Sequence, residues 1–295
     1  MSKLLRFGLA FLLIGIALVL FVSSTTSADF FMSENESYTF IEKDYQVEDL
    51  DSFSFDFSNR SVYVLKSDDE DIHLKYYTHE KDIVNLGISS EELNLKISRK
   101  WYYNIISFDF FANREYFKVY LYLPDTMVVS NLDIQTSNGR VDLDLSNNFD
   151  YINLVSSNGR INIKDLTAAK IDVMTSNGDI NLENIYTNNE INLSSSNGDI
   201  ILNNVSANKI DSNTTNGKID AENITSNNID LDSSNGRIYL SVTGSKDDYR
   251  VSLSTSNGDR VYDGLKVESG TINTSGSKVI SLNSSNGDVE VSFTN

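Results

Sequence analysis

The sequence predicts an all-β chain: a right-handed parallel β-solenoid of about 20 residues per coil, preceded by one N-terminal transmembrane helix. Three observations carry this. A Ser-Asn-Gly turn recurs through the second half at near-constant spacing. Apolar and polar residues alternate on both sides of each turn. A single uninterrupted apolar run stands at the N-terminus. Alternation with period two is the mark of strands that bury one face, and a fixed repeat length is the mark of stacked units.

In chain order, residues 1–28 form the first element. Phe7 to Val22 is apolar or glycine throughout, preceded by Lys3 and Arg6 and followed by the uncharged Ser23 to Ala28. An ideal helix of that run reaches roughly 24 Å against a hydrocarbon core of about 30 Å, and Leu4, Leu5 and a snorkelling Arg6 extend it. The expectation is a retained signal anchor with the N-terminus inside and the rest of the chain extracytoplasmic, because positive charge flanks only the N-terminal side. Thr26-Ser27-Ala28 has the small residues of a cleavage site, so the alternative is a secreted chain cut at about Ala28.

Residues 29–124 are the aromatic-rich part. Of the 31 aromatic residues, 24 precede Gly139, and Pro124, the single proline, marks where the character changes. Phe53 to Phe57, Ser61 to Lys66, Ile72 to Tyr77, Leu93 to Ile97 and Phe117 to Leu123 each alternate, with polar turns between. They read as the start and cap of the same solenoid, broadened by hairpins. No 3.6-residue pattern is sustained after residue 28, which leaves almost no place for helices.

Residues 125–295 are the repeat solenoid. The turn pairs are Asn138-Gly139, Asn158-Gly159, Asn177-Gly178, Asn197-Gly198, Asn216-Gly217, Asn235-Gly236, Asn257-Gly258 and Asn286-Gly287. Each copy approximates Ile-x-Val-x-Ser/Thr-Ser-Asn-Gly-Arg/Asp/Lys-Ile-x-Leu, as in Ile171 to Leu182. Taken singly, such a pair could close a two-residue hairpin, since asparagine and glycine supply left-handed backbone angles. Regularity favours a stack. A second corner also repeats at Asn184-Ile185, Asn204-Val205 and Asn223-Ile224, and inward residues follow in like order, Ile191, Leu193, Ser195, Ile200, Leu202, Val205 and Ala207 preceding Ile210, Ser212, Thr214, Ile219, Ala221, Ile224 and Ser226. One coil buries too little to fold alone, so neighbours must share a core and each end needs a cap. Valine at Gly198 is expected to be costly, on the ground of a positive φ there.

Composition removes several functions. The 24 lysines and arginines against 42 acidic residues give a net charge of −18, which repels nucleic acid and anionic lipid. Two histidines and no cysteine leave few soft metal ligands and no disulfide. No cofactor or metal is expected, and no Ser-His-Asp set or phosphate loop is present.

Candidate chemistry is sparse. The residues after the turn glycines, Arg140, Arg160, Asp179, Asp199, Lys218, Arg237, Asp259 and Asp288, are expected to line one edge. Stacking would set the Asp179 and Asp199 carboxylates about 4.8 Å apart, near the separation used by retaining glycosidases. A convex, hydrated edge suits charge compensation better than catalysis, with Arg160 facing Asp179 and Asp199 facing Lys218, so no catalytic residue is assigned. The acidic turn Asp68 to Asp71 reads as solvated, and His73 and His79 as structural or exposed residues. The cluster Trp101, Tyr102, Tyr103, Phe108, Phe110, Phe111, Tyr116 and Phe117 covers the solenoid's open end, or contacts a glycan or lipid headgroup through Trp101, Tyr102 and Tyr103.

The run Tyr120-Leu121-Tyr122-Leu123-Pro124, followed by Ser-Asn-Gly-Asp and Ser-Asn-Gly-Arg units behind an N-terminal anchor, resembles the LiaG-like family of candidate adhesins over residues 38–295. That resemblance implies a bacterial envelope protein with a role in adhesion or envelope stress. The expected function is therefore a non-enzymatic binding or scaffold module, tethered to the membrane and contacting cell-wall glycan or another envelope protein. The alternatives are a polysaccharide lyase or glycosidase on the same scaffold, and a mechanical spacer.

Overall fold

A computed structural model describes residues 38–99, 114–268 and 270–294. The expected anchor, residues 1–28, and the aromatics Trp101, Tyr102, Tyr103, Phe108, Phe110 and Phe111 lie outside the described residues. Among the described residues no helix is long and apolar enough to cross a membrane.

The chain is all-β and winds as a parallel solenoid with two strand-bearing walls. One wall holds the strands before each Ser-Asn-Gly corner, the other the strands after it. In the repeat region the corner lies between the strands Asn148–Ser156 and Ile161–Lys164, then between Thr167–Thr175 and Ile180–Ser195, and so on to Ile219–Ser233 and Ile238–Thr243. These segments are strands because apolar residues, mostly isoleucine, valine and leucine, alternate with polar ones and point inward, where each meets its counterpart in the next layer.

Register makes this concrete. On the wall after the corner, Val119, Val62, Val141, Ile161, Ile180, Ile200, Ile219, Ile238 and Val289 form one column. On the other wall the column runs Leu93, Phe53, Leu132, Ile152, Ile171, Ile191, Ile210, Ile229, Ile280 and Val251. All of these side chains are fully buried. The two sets of inward residues expected from the sequence, Ile191 to Ala207 and Ile210 to Ser226, are buried as well.

The N-terminal strands expected from alternation are present as Ser52–Phe57, Ser61–Lys66, Ile72–His79, Glu92–Arg99 and Lys118–Leu123. Two further strands close that end, Tyr38–Tyr45 pairing antiparallel with Ile72–His79 and Asp82–Ser89 with Glu92–Arg99. At the far end the short strands Leu265–Lys266 and Thr271–Ile272 do the same. Antiparallel edges that are short or differently directed discourage end-to-end pairing between molecules.

Layer order departs from chain order at both ends. The strand Ser52–Phe57 lies between Glu92–Arg99 and Val128–Thr136, so the first coil is the second layer. The strand Lys278–Ser284 lies between Ile219–Ser233 and Tyr249–Thr255, which makes the last coil the penultimate layer. The corner row expected as Arg237, Asp259, Asp288 is corrected to Arg237, Asp288, Asp259.

Candidate functional site

The Ser and Asn residues of the Ser-Asn-Gly corners form one exposed edge. Its backbone geometry is not the one expected. Left-handed angles fall at the second corner, at Asp165, Asn184, Asn204 and Asn223 with φ between 54° and 59°, and at none of the Ser-Asn-Gly corners. Glycine is required there for space. A Cβ on Gly198 would stand 1.7 Å from the Gly178 carbonyl oxygen, and one on Gly159 the same distance from that of Gly139. Each corner lies flat on the one below, and only hydrogen fits between.

The residue three before each glycine explains the Ser/Thr preference. The buried Ser195 hydroxyl accepts the Gly198 N–H at 2.9 Å and donates to the Gly178 carbonyl at 3.3 Å. Thr136, Ser156, Thr175, Thr214, Ser233, Ser284 and Thr255 do likewise. A small hydroxyl is the group that can both donate and accept in so narrow a space. These residues belong to the inward alternation, but the sequence alone does not reveal their double role.

Outside this hydroxyl column runs an asparagine ladder. Asn158 donates its side-chain amide to Asn138, Asn177 to Asn158, Asn197 to Asn177, Asn216 to Asn197 and Asn235 to Asn216, at 2.6 to 2.8 Å. It continues from Asn286 to Asn235 and from Asn257 to Asn286. At the other end Asn138 donates to Asn59, a ladder member that the Ser-Asn-Gly search misses because Arg60 stands in the glycine's place. The alternating stretch Phe53 to Phe57 before Ser58-Asn59 is the signal that marks it as a copy.

Arg60 stands at the glycine position of this copy. Its side chain is buried and donates to the Asp82 carboxylate at 2.8 Å and to the Tyr116 carbonyl at 3.0 Å. Arg99 binds the other Asp82 oxygen at 2.8 Å. Burial, only partly offset by Asp82, pulls the Arg60 guanidinium below its usual range. Around this ion group Tyr38 stacks on Tyr116 at 4.5 Å and meets Phe117 edge-on at 5.9 Å. Tyr116 and Phe117, expected in the aromatic cluster, thus pack against the end of the solenoid.

The corner charges are mostly occupied. Asp179 binds Arg160 at 2.6 Å with one oxygen and accepts the Asp199 backbone N–H at 3.1 Å with the other. Asp199 accepts the backbone N–H of Lys218 at 2.9 Å. The expected Asp199–Lys218 ion pair is not formed, because the Lys218 ammonium turns to Asp220 at 3.2 Å. His73 lies between Asp44 at 2.6 Å and Asp69 at 2.8 Å, joining the first strand to the acidic turn. The hydrogen bond to Asp44, opposed by partial burial and reinforced by Asp69, holds the His73 imidazole above its ordinary value. Among the described residues no group of three or more histidine or acidic side chains is placed to hold a metal ion.

Comparison with known proteins gives a family and a fold. A family model described as Toastrack DUF4097 matches residues 50–292. No curated protein matches the sequence. A crystal structure of a candidate adhesin from Bacteroides fragilis NCTC 9343 superposes with a TM-score of 0.54 at 17% identity, covering 86% of this chain and 97% of that one. A second candidate adhesin, from Parabacteroides distasonis ATCC 8503, gives 0.48 at 12% identity, with 86% and 97% covered. At these identities the first of them shows a shared fold.

Proposed function

Because the chain belongs to the Toastrack DUF4097 family, we propose that it is a non-enzymatic binding module of the bacterial cell envelope, an adhesin or envelope-stress protein of LiaG-like type. In this reading residues 1–28 tether it to the membrane and the solenoid stands outside, where its asparagine edge contacts a neutral cell-wall glycan. Envelope localisation rests on the charge asymmetry around the apolar run.

The observation that carries the reading is the uninterrupted amide ladder. Each interior asparagine spends one N–H on its neighbour and accepts one in return, which leaves a second lone pair and, except at Asn197 and Asn286, whose amides also reach the Ser176 and Ser234 carbonyls at 3.4 Å, a second N–H facing water. These repeat about every 4.8 Å along an exposed edge. A regular row of donors and acceptors suits a polymer of repeating hydroxyls. The charge of −18 argues against polyanionic partners. Corner carboxylates already engaged by backbone N–H groups favour binding over the lyase or glycosidase alternative.

The test is a pull-down of the extracytoplasmic chain with peptidoglycan, teichoic acid and host matrix. Ser176 and Ser196 are exposed beside the ladder, so Ser176→Lys with Ser196→Lys obstructs the edge while leaving its amide bonds in place. Retention on peptidoglycan that disappears in the double variant, at unchanged melting temperature, is the expected result. Equal retention of both proteins would overturn the assignment to this edge, and glycan degradation lost in Asp179→Ala with Asp199→Ala would overturn the non-enzymatic reading.

A further inference from the structure

Asparagine followed by glycine is the most deamidation-prone pair in polypeptides, because glycine offers the least steric hindrance to attack by its own nitrogen on the preceding side chain. This chain carries eight such pairs in one ladder, from Asn138-Gly139 to Asn286-Gly287. The ladder treats them unequally. Asn138, Asn158, Asn177, Asn197, Asn216, Asn235 and Asn286 are each held on both sides, donating to one neighbour and accepting from the next. Asn257 occupies the outermost layer. It donates to Asn286 at 2.8 Å and, among the described residues, has no ladder member beyond it to donate to its carbonyl.

The backbone nitrogens are held alike along the column. Gly139, Gly159, Gly178, Gly198 and Gly217 are buried, and each gives its N–H to the hydroxyl column at 2.8 to 3.3 Å. Gly258 is part-exposed, as are the interior Gly236 and Gly287, and it too gives its N–H to the column, at 3.0 Å to Thr255, so the difference between the end and the interior lies in the side-chain amides. Attack needs the asparagine side chain to rotate until its Cγ meets the next nitrogen, and rotation breaks two ladder bonds in the interior but one at Asn257.

We infer that Asn257 is a spontaneous modification site and that deamidation proceeds along the ladder from this end. The Gly258 nitrogen, losing its proton to solvent base, bonds to the Asn257 Cγ. The Cγ–Nδ2 bond breaks, ammonia leaves and a succinimide closes. Water then opens the ring at either carbonyl, giving aspartate or isoaspartate. The product carboxylate can no longer donate to Asn286 Oδ1. Asn286 then loses the bond it accepted and becomes the new end, followed in turn by Asn235. Each step also adds a negative charge beside the last, so the edge loosens progressively from one end.

The test is peptide mass mapping of the full chain held in mildly alkaline buffer, following replacement of NH2 by OH and isoaspartate content at every Asn-Gly pair. In urea the eight pairs should convert at rates within a few-fold of one another. In the folded chain Asn257 should lead Asn177 and Asn197 by about tenfold or more, and Asn286 should follow after a lag that Asn257→Asp abolishes. Conversion of Asn257 no faster than Asn197 in the folded chain, or of Asn286 without a lag, would overturn the inference. The wild-type time course decides this even if the variant folds poorly.

Discussion

Gly198 lies between the carbonyl of Gly178 and the corner above, where Gly217 in turn approaches the Gly198 carbonyl to 2.0 Å measured from a placed Cβ. Two explanations of such a glycine make different predictions. If its own backbone angle were the reason, asparagine would be tolerated, because asparagine enters the left-handed region readily. If the neighbouring carbonyl is the reason, asparagine and alanine fail alike. The structure favours the second, so Gly198→Asn and Gly198→Ala should each cost about 2 to 3 kcal/mol in urea melts. An asparagine variant close to wild type would restore the angle explanation. The sequence made it legible that these glycines are required, but not why, since a local motif does not report how near the next layer comes. Asn184, Asn204 and Asn223 were legible as corners, and it is they that hold the positive φ. Arg60 was illegible because it breaks the Ser-Asn-Gly motif.

Strand pairing sets the electrostatics of each outward column. On the wall before the corner the register runs Asp133, Asn153, Asp172, Asn192, Asp211, Asp230. Amide and carboxylate alternate at first, with Asn153 donating to Asp133 at 3.0 Å and Asn192 to Asp172 at 2.7 Å. Alternation then fails, for Asp211 and Asp230 are adjacent. Burial first, and then the Asp232 and Asp211 charges, push the Asp230 carboxyl above its usual value. A raised carboxyl means that the fold prefers the protonated form. Asp230 therefore opposes folding above its folded-state value, and that opposition disappears below the unfolded value of about 3.9. Asp230→Asn should restore alternation and stabilise the protein at neutral pH by a few tenths to about 1 kcal/mol. The gain should shrink as pH falls into the acid range. A neutral or destabilising effect at pH 7 would show that the column does not act as a charged row. The period of two that defines these columns was plain in the sequence. The layer order was not, because the copies around Asn257 and Asn286 are chemically alike and either could follow Asn235.

Across the whole molecule, stability passes between neighbouring layers, so exchange with solvent should begin at the ends of the stack and not at the ends of the chain. These differ here. The strands Lys278–Ser284 and Val289–Thr294 finish the described chain, yet each has a parallel partner on both sides. The strand Ser52–Phe57 is flanked in the same way near the start. The exposed edges are Tyr249–Thr255 with the short strands near it, the hairpin of Asp82–Ser89 with Glu92–Arg99, and Tyr38–Tyr45, the first described strand, which pairs with Ile72–His79. Peptide-resolved hydrogen exchange should thus find residues 280–291 protected about as well as 229–242, with residues 260–272 and 82–89 exchanging first. Fast exchange of 280–291 ahead of 249–262 would mean that the last coil is not inserted between its neighbours. Protection in the expected order would show that the coils of Ser52–Phe57 and Lys278–Ser284 are held inside the stack by the apolar columns of the layers around them.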